Sequence, residues 1–291
     1  MIWIILSTLS STGIFVIFKI IDKVKANLLN VIIINYLVAS IFGFCLKRNF
    51  PITEIVNSEW FFAGILIGIL FIVMFFIIGL SSIKVGISIT TVASKMSVII
   101  PILFAIIAYS EPLGIIKIFA ILLALIAVFL TVFRKTDENN KLNFSYLFLP
   151  IILFVGMGMV DSLVIFSKEK YVNDEAAALF TATLFGFSFL SGLVAGVFNP
   201  KSFQNFKYSK NWILGIGLGI VNFGSIYLIL RALNSGIYNN SIIYGIVNIG
   251  IVTLSVIFGT LFFKERLTKL NYLGISLSII SIFLLSIAET V

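Results

Sequence analysis

The chain has 291 residues, 60% of them hydrophobic and only 11% charged, with a mean hydropathy of +1.18 and a formal net charge of +8. Soluble globular chains carry about a quarter of their residues as charges, so this composition cannot build a polar shell and its apolar surplus must face lipid. Histidine is absent and Cys45 is the only cysteine, which excludes disulfides, cysteine-based metal clusters, haem on histidine and any His-dependent triad; no cofactor or metal is expected. The basic residues stand in ones to threes between apolar runs, a pattern that suits loops beside anionic headgroups and not a nucleic-acid stripe.

A helix needs roughly 17 to 25 mostly apolar residues to cross a hydrocarbon core of about 30 Å, and ten stretches qualify. The first, 2–20, lacks a basic n-region and runs into Lys19 without a small-residue cleavage site, so it is read as a retained span and not a signal peptide. It carries Ser7, Ser10, Ser11 and Thr12. The second covers 28–46; the third, 60–81, opens on Trp60 and holds Gly64 and Gly68 at a spacing for close helix packing. The fourth, 87–109, contains Ser88, Thr91, Ser94, Lys95, Ser97 and Pro101, and the fifth, 114–133, follows Glu111. The longest polar connection, RKTDENNKLNFS from Arg134, falls almost at the middle of the chain. Beyond it the sixth span, 146–166, contains Asp161, and the seventh covers 176–198. The eighth, 212–231, opens on Trp212 and holds Gly215, Gly219, Asn222 and Ser225. The ninth, 237–262, carries Asn240, Ser241, Tyr244 and Asn248, and the tenth, 269–288, follows Glu265.

The two halves repeat. Trp60 with Gly64-Ile65-x-x-Gly68-Ile69 recurs as Trp212 with Gly215-Ile216-x-x-Gly219-Ile220. The run from Ser82 through Gly86 to Ile87 parallels that from Ala232 through Gly236 to Ile237, and Glu111-Pro112-Leu113 parallels Glu265-Arg266-Leu267, with offsets near 150 throughout. Residues 1–134 and 146–291 are thus predicted to be two five-span repeats. An odd number of spans per repeat makes the second enter from the opposite side, an inverted pair of the kind found in alternating-access transporters, where the substrate site lies at the midplane between repeats.

With ten spans both termini lie on one side of the membrane. Thirteen of the twenty basic residues, Lys84, Lys135 and Lys264 among them, fall on the other side, against six, such as Arg48 and Arg231, on the terminal side. The positive-inside rule then places both termini outside.

The two five-span halves, with GISITTVASKMSVIIPILFAIIAYSEPL in the fourth span and NIGIVTLSVIFGTLFFKERL in the ninth, resemble the EamA-like branch of the drug/metabolite transporter superfamily over almost the whole chain. The resemblance implies a basket-shaped bundle around a central cavity, movement of small metabolites, often amino acids, and cytoplasmic termini. The last point is opposite to the charge count, and orientation stays open between the two.

Asp161 is the only acid inside a span and Lys95 the only base well inside one; a charge at the bilayer centre costs about 2.5 to 3.5 kcal/mol on insertion scales. Each is a candidate substrate-binding residue, against a bland reading of snorkelling for Lys95 and a hydrated vestibule for Asp161. Their depths, roughly 12 and 22 Å from one side at 1.5 Å per residue, disfavour a direct pair and suggest that they flank the midplane. Lys95 would meet an anion, and Asp161 a cation or a proton. Ser88 and Thr91 share a helix face with Lys95, and Pro101 frees the Ser97 carbonyl for a kink or gate. Asn240, Tyr244 and Asn248 form a polar stripe on the ninth span, with Asn222 on the eighth; these amides bind substrate or hold helices together. Glu111 and Glu265 suit the dipoles at the starts of the fifth and tenth spans, and Trp60 and Trp212 read as interfacial anchors.

The function expected is a secondary transporter, an exporter of a small metabolite such as an amino acid, in the inner (cytoplasmic) membrane and driven by protons or by the substrate gradient. No Gly-x-x-x-x-Gly-Lys loop for ATP is present. The rivals are an intramembrane lipid-modifying enzyme, which would want several convergent acids and bases, and a structural or sensor membrane protein.

Overall fold

The computed structural model describes residues 1–47, 52–109, 114–132, 146, 148–172, 177–198, 205–233, 235, 238 and 240–288. The Glu111-Pro112-Leu113 copy, the loop from Arg134 to Ser145, Arg48, Lys201, Asn234, Gly236 and Ile237 lie outside them. The described residues are helical, with no strand among them. The helices are α1 (Ile2–Lys23), α2 (Leu28–Lys47), α3 (Ile52–Val56), α4 (Phe61–Lys84), α5 (Ile87–Met96), α6 (Ile99–Tyr109), α7 (Ile115–Val132), α8 (Phe148–Tyr171), α9 (Ala177–Val197), α10 (Ser209–Leu233), α11 (Asn240–Ile257) and α12 (Lys269–Ala288), with a π-helical turn at Phe258–Phe262.

Ten candidate spans are long and apolar enough to cross a bilayer, α5 with α6 forming the fourth and α11 with the π turn the ninth. The chain is a multi-pass membrane protein. In hydrocarbon only a helix satisfies every backbone group within its own segment, which is why hydropathy alone located all ten spans to within a few residues. Local chemistry sets the starts. The Asn27 side chain accepts the Asn30 N–H at 3.0 Å and begins α2. Thr268 and Asn271 bond reciprocally, Thr268 N–H to Asn271 Oδ1 at 2.9 Å and Asn271 N–H to Thr268 Oγ1 at 3.2 Å, and begin α12.

The residues fall into two compact units. The first comprises Met1–Lys19, Ile78–Met159 and Gly224–Val291, and the second Ile20–Ile77 and Val160–Phe223. Within the first, α7 and α12 pack antiparallel along a seam of small residues: Ala120, Ala124, Ala127 and Thr131 against Gly274, Ser278 and Ser281. Ser281 Oγ donates to the Ala120 carbonyl at 2.8 Å, and Asn271 Nδ2 to the Thr131 carbonyl at 2.7 Å. Helices in lipid gain no hydrophobic drive from meeting each other, so close approach and such bonds hold them. Helix α5 packs on α7, α11 and α12, with Val92, Met96 and Ile99 in a common core with Ala124, Val252 and Ile282.

In the second unit α2 and α9 lie antiparallel, Gly43 against Ala182 at one end and Gly192 against Ile33 at the other. The glycine pairs flank this couple. A Cβ on Gly68 of α4 would lie 2.5 Å from Phe187 Cβ of α9, and one on Gly219 of α10 would lie 2.6 Å from Val38 Cβ of α2. Both pairs therefore serve close packing. Trp60 corrects an expectation: it is buried edge-on against Phe180, ring centroids 5.3 Å apart, with Ile55 of α3 in the same cluster. The short helix before it covers the ring that an interfacial anchor would expose. Trp212 is 41% exposed and donates its ring N–H to the Phe206 carbonyl at 2.8 Å.

Candidate functional site

The most constrained local geometry lies at the start of α5. Gly86 adopts φ 123°, a conformation that side-chain-bearing residues rarely accept, and it lies against the carboxylate of Glu265. That carboxylate accepts the Ile87 N–H at 2.6 Å, the Ser88 N–H at 3.2 Å and the Ser88 hydroxyl at 2.7 Å. It arrives from the far end of the ninth span. The π turn is followed by a Glu265 N–H bond to the Gly259 carbonyl at 2.8 Å and by Lys264 at φ 53°, which turns the backbone. A Cβ on Gly259 would sit 2.5 Å from Ser88 Oγ, so the absence of a side chain there lets α11 approach α5. Glu265 was expected at the start of the tenth span; it caps the fourth instead, because Thr268 and Asn271 already cap α12.

From Val85 to Ser97 every residue is buried except Lys95, which is half-buried. This helix has no side facing lipid, and Lys95 is its one residue with appreciable accessible surface. Ser88 and Thr91, placed with Lys95 by sequence, are fully enclosed, and Thr91 Oγ1 donates to the Ile87 carbonyl at 2.7 Å. Helix continuity ends two residues past Lys95. Residues 97–98 form a turn, with Ser97 Oγ donating to the Ser94 carbonyl at 2.6 Å and the Ser97 carbonyl accepting Ile100 N–H at 2.9 Å. Pro101 has no N–H to offer the Ser97 carbonyl and its ring crowds that position, so the kink expected from sequence is present as a break.

On α11 the polar stripe has a definite side. At 100° per residue Tyr244, Asn248, Ile251 and Ser255 share one face, while Ile246, Thr253 and Ile257 point the other way. Ile251 and Ser255 are buried, Asn248 is half-buried and Tyr244 is 45% exposed, so the face that is closed near Ser255 opens toward Tyr244. Neither the Tyr244 hydroxyl nor the Asn248 amide hydrogen-bonds to a described residue. The side chain of Asn240 lies outside the described residues.

Asn222 takes the other role open to it. It is buried in α10, where its side-chain amide meets that of the fully buried Asn35 in α2 at 3.1 Å, a contact between helices. Asn35 was not among the sequence candidates. Ser7 likewise donates to the Ser225 carbonyl at 3.2 Å, and Thr8 sits where Gly250 leaves room. Asp161 is half-buried in α8 and belongs to the second unit, whereas Lys95, Tyr244 and Asn248 belong to the first. Sequence reading also missed Ser255, whose hydroxyl is fully buried with no hydrogen-bond partner among the described residues. Its position seven residues beyond Asn248 on the same stripe was the available signal.

No family model matches the chain. Over 292 aligned positions, covering 97% of this chain and 96% of the other, it is 31% identical to an uncharacterized protein of Haemophilus influenzae.

Proposed function

The chain belongs to the family of that Haemophilus influenzae protein, and we propose that it is a secondary transporter of the EamA-like kind, exporting a small metabolite such as an amino acid across the cytoplasmic membrane by alternating access. The observation that carries this reading is Lys95. A lysine on a lipid-facing helix reaches accessible surface by snorkelling to the headgroups, but the helix around Lys95 is enclosed on every side. Its accessible surface then belongs to an internal polar space, which a structural membrane protein does not need. Tyr244 and Asn248 on α11, which bond to no described residue, support the same space, because an amide in hydrocarbon without a partner is costly.

The inverted-repeat architecture is part of this proposal, and the packing supports it. Repeat mates touch: the second span lies on the seventh, the fourth on the ninth and the fifth on the tenth. The other contacts come in mirrored pairs. Glycines of the third span pack on the seventh while those of the eighth pack on the second, and the fourth touches the fifth as the ninth touches the tenth. Within each unit, these are the pairs that an inverted repeat calls for.

In this cycle Lys95 meets an anionic group, while Asp161 holds a cation or exchanges a proton. The test is a metabolite-wide flux comparison in proteoliposomes between wild type and the Lys95→Ala, Asp161→Asn double variant. A solute moved by wild type alone is the expected result. Equal traces for every solute would overturn the proposal.

A further inference from the structure

We infer that the face of α11 carrying Tyr244, Asn248, Ile251 and Ser255 binds an uncharged hydrogen-bonding group of the transported solute, a hydroxyl or a carboxamide; this refinement rests on the transport reading. At 1.5 Å per residue Tyr244 and Asn248 stand about 6 Å apart along the axis and Ser255 about 10 Å further, with Ile251 between the last two. Exposure falls along this line, from 45% at Tyr244 through half-buried Asn248 to fully buried Ser255. Ile246 and Ile257, 42% and 41% exposed, lie on the opposite side of the helix and face lipid. The accessible surface of Tyr244 is therefore on the side turned away from lipid. Gly259, four residues past Ser255, meets Ser88 and the Glu265 carboxylate and closes the far end. Ser255 is the last polar group before that closure.

Ser255 gives a second, independent sign. Hydroxyls in these helices return to the carbonyl four residues back: Thr8 to Ile4, Thr90 to Gly86, Thr91 to Ile87, Thr131 to Ala127 and Thr260 to Val256, at 2.7 or 2.8 Å. The Ile251 carbonyl is placed to take Ser255 in the same way, yet the fully buried Ser255 hydroxyl bonds to nothing among the described residues. It is turned away from its own backbone, which is unfavourable unless something else supplies the missing bond. The only other such atom among the described residues, Ser82 Oγ, lies on α4. Tyr244 and Asn248 likewise bond to no described residue. The chemistry of the occupant follows from what this face lacks and what it offers. Among the described residues it carries no charged side chain, so an ion drawn along it would give up hydration without a counter-charge. A purely apolar group would leave the Ser255 hydroxyl without its bond. Hydroxyl and amide each donate and accept, so an alcohol or a carboxamide satisfies them in either sense, and Ile251 takes the hydrocarbon stem.

Purified full-length protein in detergent micelles provides the test, and its first arm needs no ligand. Ser255→Ala removes an unbonded hydroxyl and should leave Tm unchanged or raise it. Ser281→Ala, which loses the bond to the Ala120 carbonyl at 2.8 Å, should lower Tm by about 2 to 4 °C. A loss at Ser255→Ala as large as at Ser281→Ala would show that the hydroxyl is bonded within the protein and would overturn the assignment. The second arm compares threonine with valine, glutamine with glutamate, and butyramide with butyrate for stabilisation of the wild type against heat. In at least one pair the uncharged polar member is expected to raise Tm more than its twin, and Ser255→Ala and Asn248→Leu should each weaken that binding about five- to tenfold. A trapped water would also satisfy Ser255 but would not tell the members of a pair apart. Equal effects within every pair, a preference for valine, glutamate or butyrate, or undiminished binding in both variants would each overturn the assignment. Discrimination within a pair by a protein that transports neither member would leave the subsite standing and remove the transport reading. Transport of valine or glutamate, undiminished by Ser255→Ala and Asn248→Leu together, would do the reverse.

Discussion

Replacing Glu265 with alanine removes a charged acceptor from two backbone N–H groups and one hydroxyl at the start of a buried helix. Hydrogen bonds to a buried charged group contribute about 1.5 to 3 kcal/mol each. Glu265 is itself half-buried, and water can reach part of the gap, so about 1 kcal/mol per bond is the better figure and about 3 kcal/mol the expected loss. Glu265→Gln keeps one oxygen for the shortest bond, to Ile87 at 2.6 Å, but turns a donor toward the Ser88 N–H; about half the loss should remain. Ser88→Ala removes only the hydroxyl bond, roughly 1 kcal/mol. The control is Glu54→Ala, on an exposed position of α3, expected within about 0.5 kcal/mol of wild type. Unfolding by sodium dodecyl sulfate in mixed micelles, followed by far-UV circular dichroism, ranks the four. A Glu265→Ala variant as stable as Glu54→Ala, or less destabilised than Ser88→Ala, would show that the carboxylate does not hold α5.

Gly68→Ala and Gly219→Ala place a methyl against Phe187 and Val38 and should each destabilise by about 1 to 3 kcal/mol in the same assay; a neutral result at both would refute the close packing. Asn222→Ala strands the amide of Asn35 and should cost about 1 kcal/mol, whereas adding Asn35→Ala to it should cost little more, as a double-mutant cycle would show. Asp161→Asn is expected to remove the pH dependence of flux, measured in proteoliposomes with an imposed proton gradient; an unchanged profile would sink proton coupling at this residue.

The ten spans were legible because hydrocarbon leaves a segment few alternatives to a helix about 30 Å long. Pro101 announced the break at 97–98 by the chemistry of its ring, and the small-x-x-x-small glycines announced their contacts by size. Partner choice was less legible. Glu265 reads as a cap for the helix that follows it, and only the turn at Lys264 sends its carboxylate to a residue 178 positions earlier. Asn222 and Asn248 are the same residue type in similar apolar helices; one is bonded to Asn35 and the other to no described residue. Hydropathy carries no information on that difference, which depends on what the neighbouring helix presents at that depth. Trp60 was misread for a related reason, since the helix that covers it is only five residues long.

Pro101 has no counterpart in the second half: the stretch that the repeat offset aligns with it, 251–255, contains no proline, and α11 runs unbroken from Asn240 to Ile257. In a carrier whose two access states exchange the shapes of its repeats, the fourth span has already given up a backbone bond that the ninth would have to sacrifice. Under the transport proposal, inward-facing and outward-facing forms are then unequal in free energy, and the unloaded protein would rest predominantly in one of them. Half-saturation concentrations measured from the two sides of the membrane would differ accordingly, and one imino acid would set the sign of that difference.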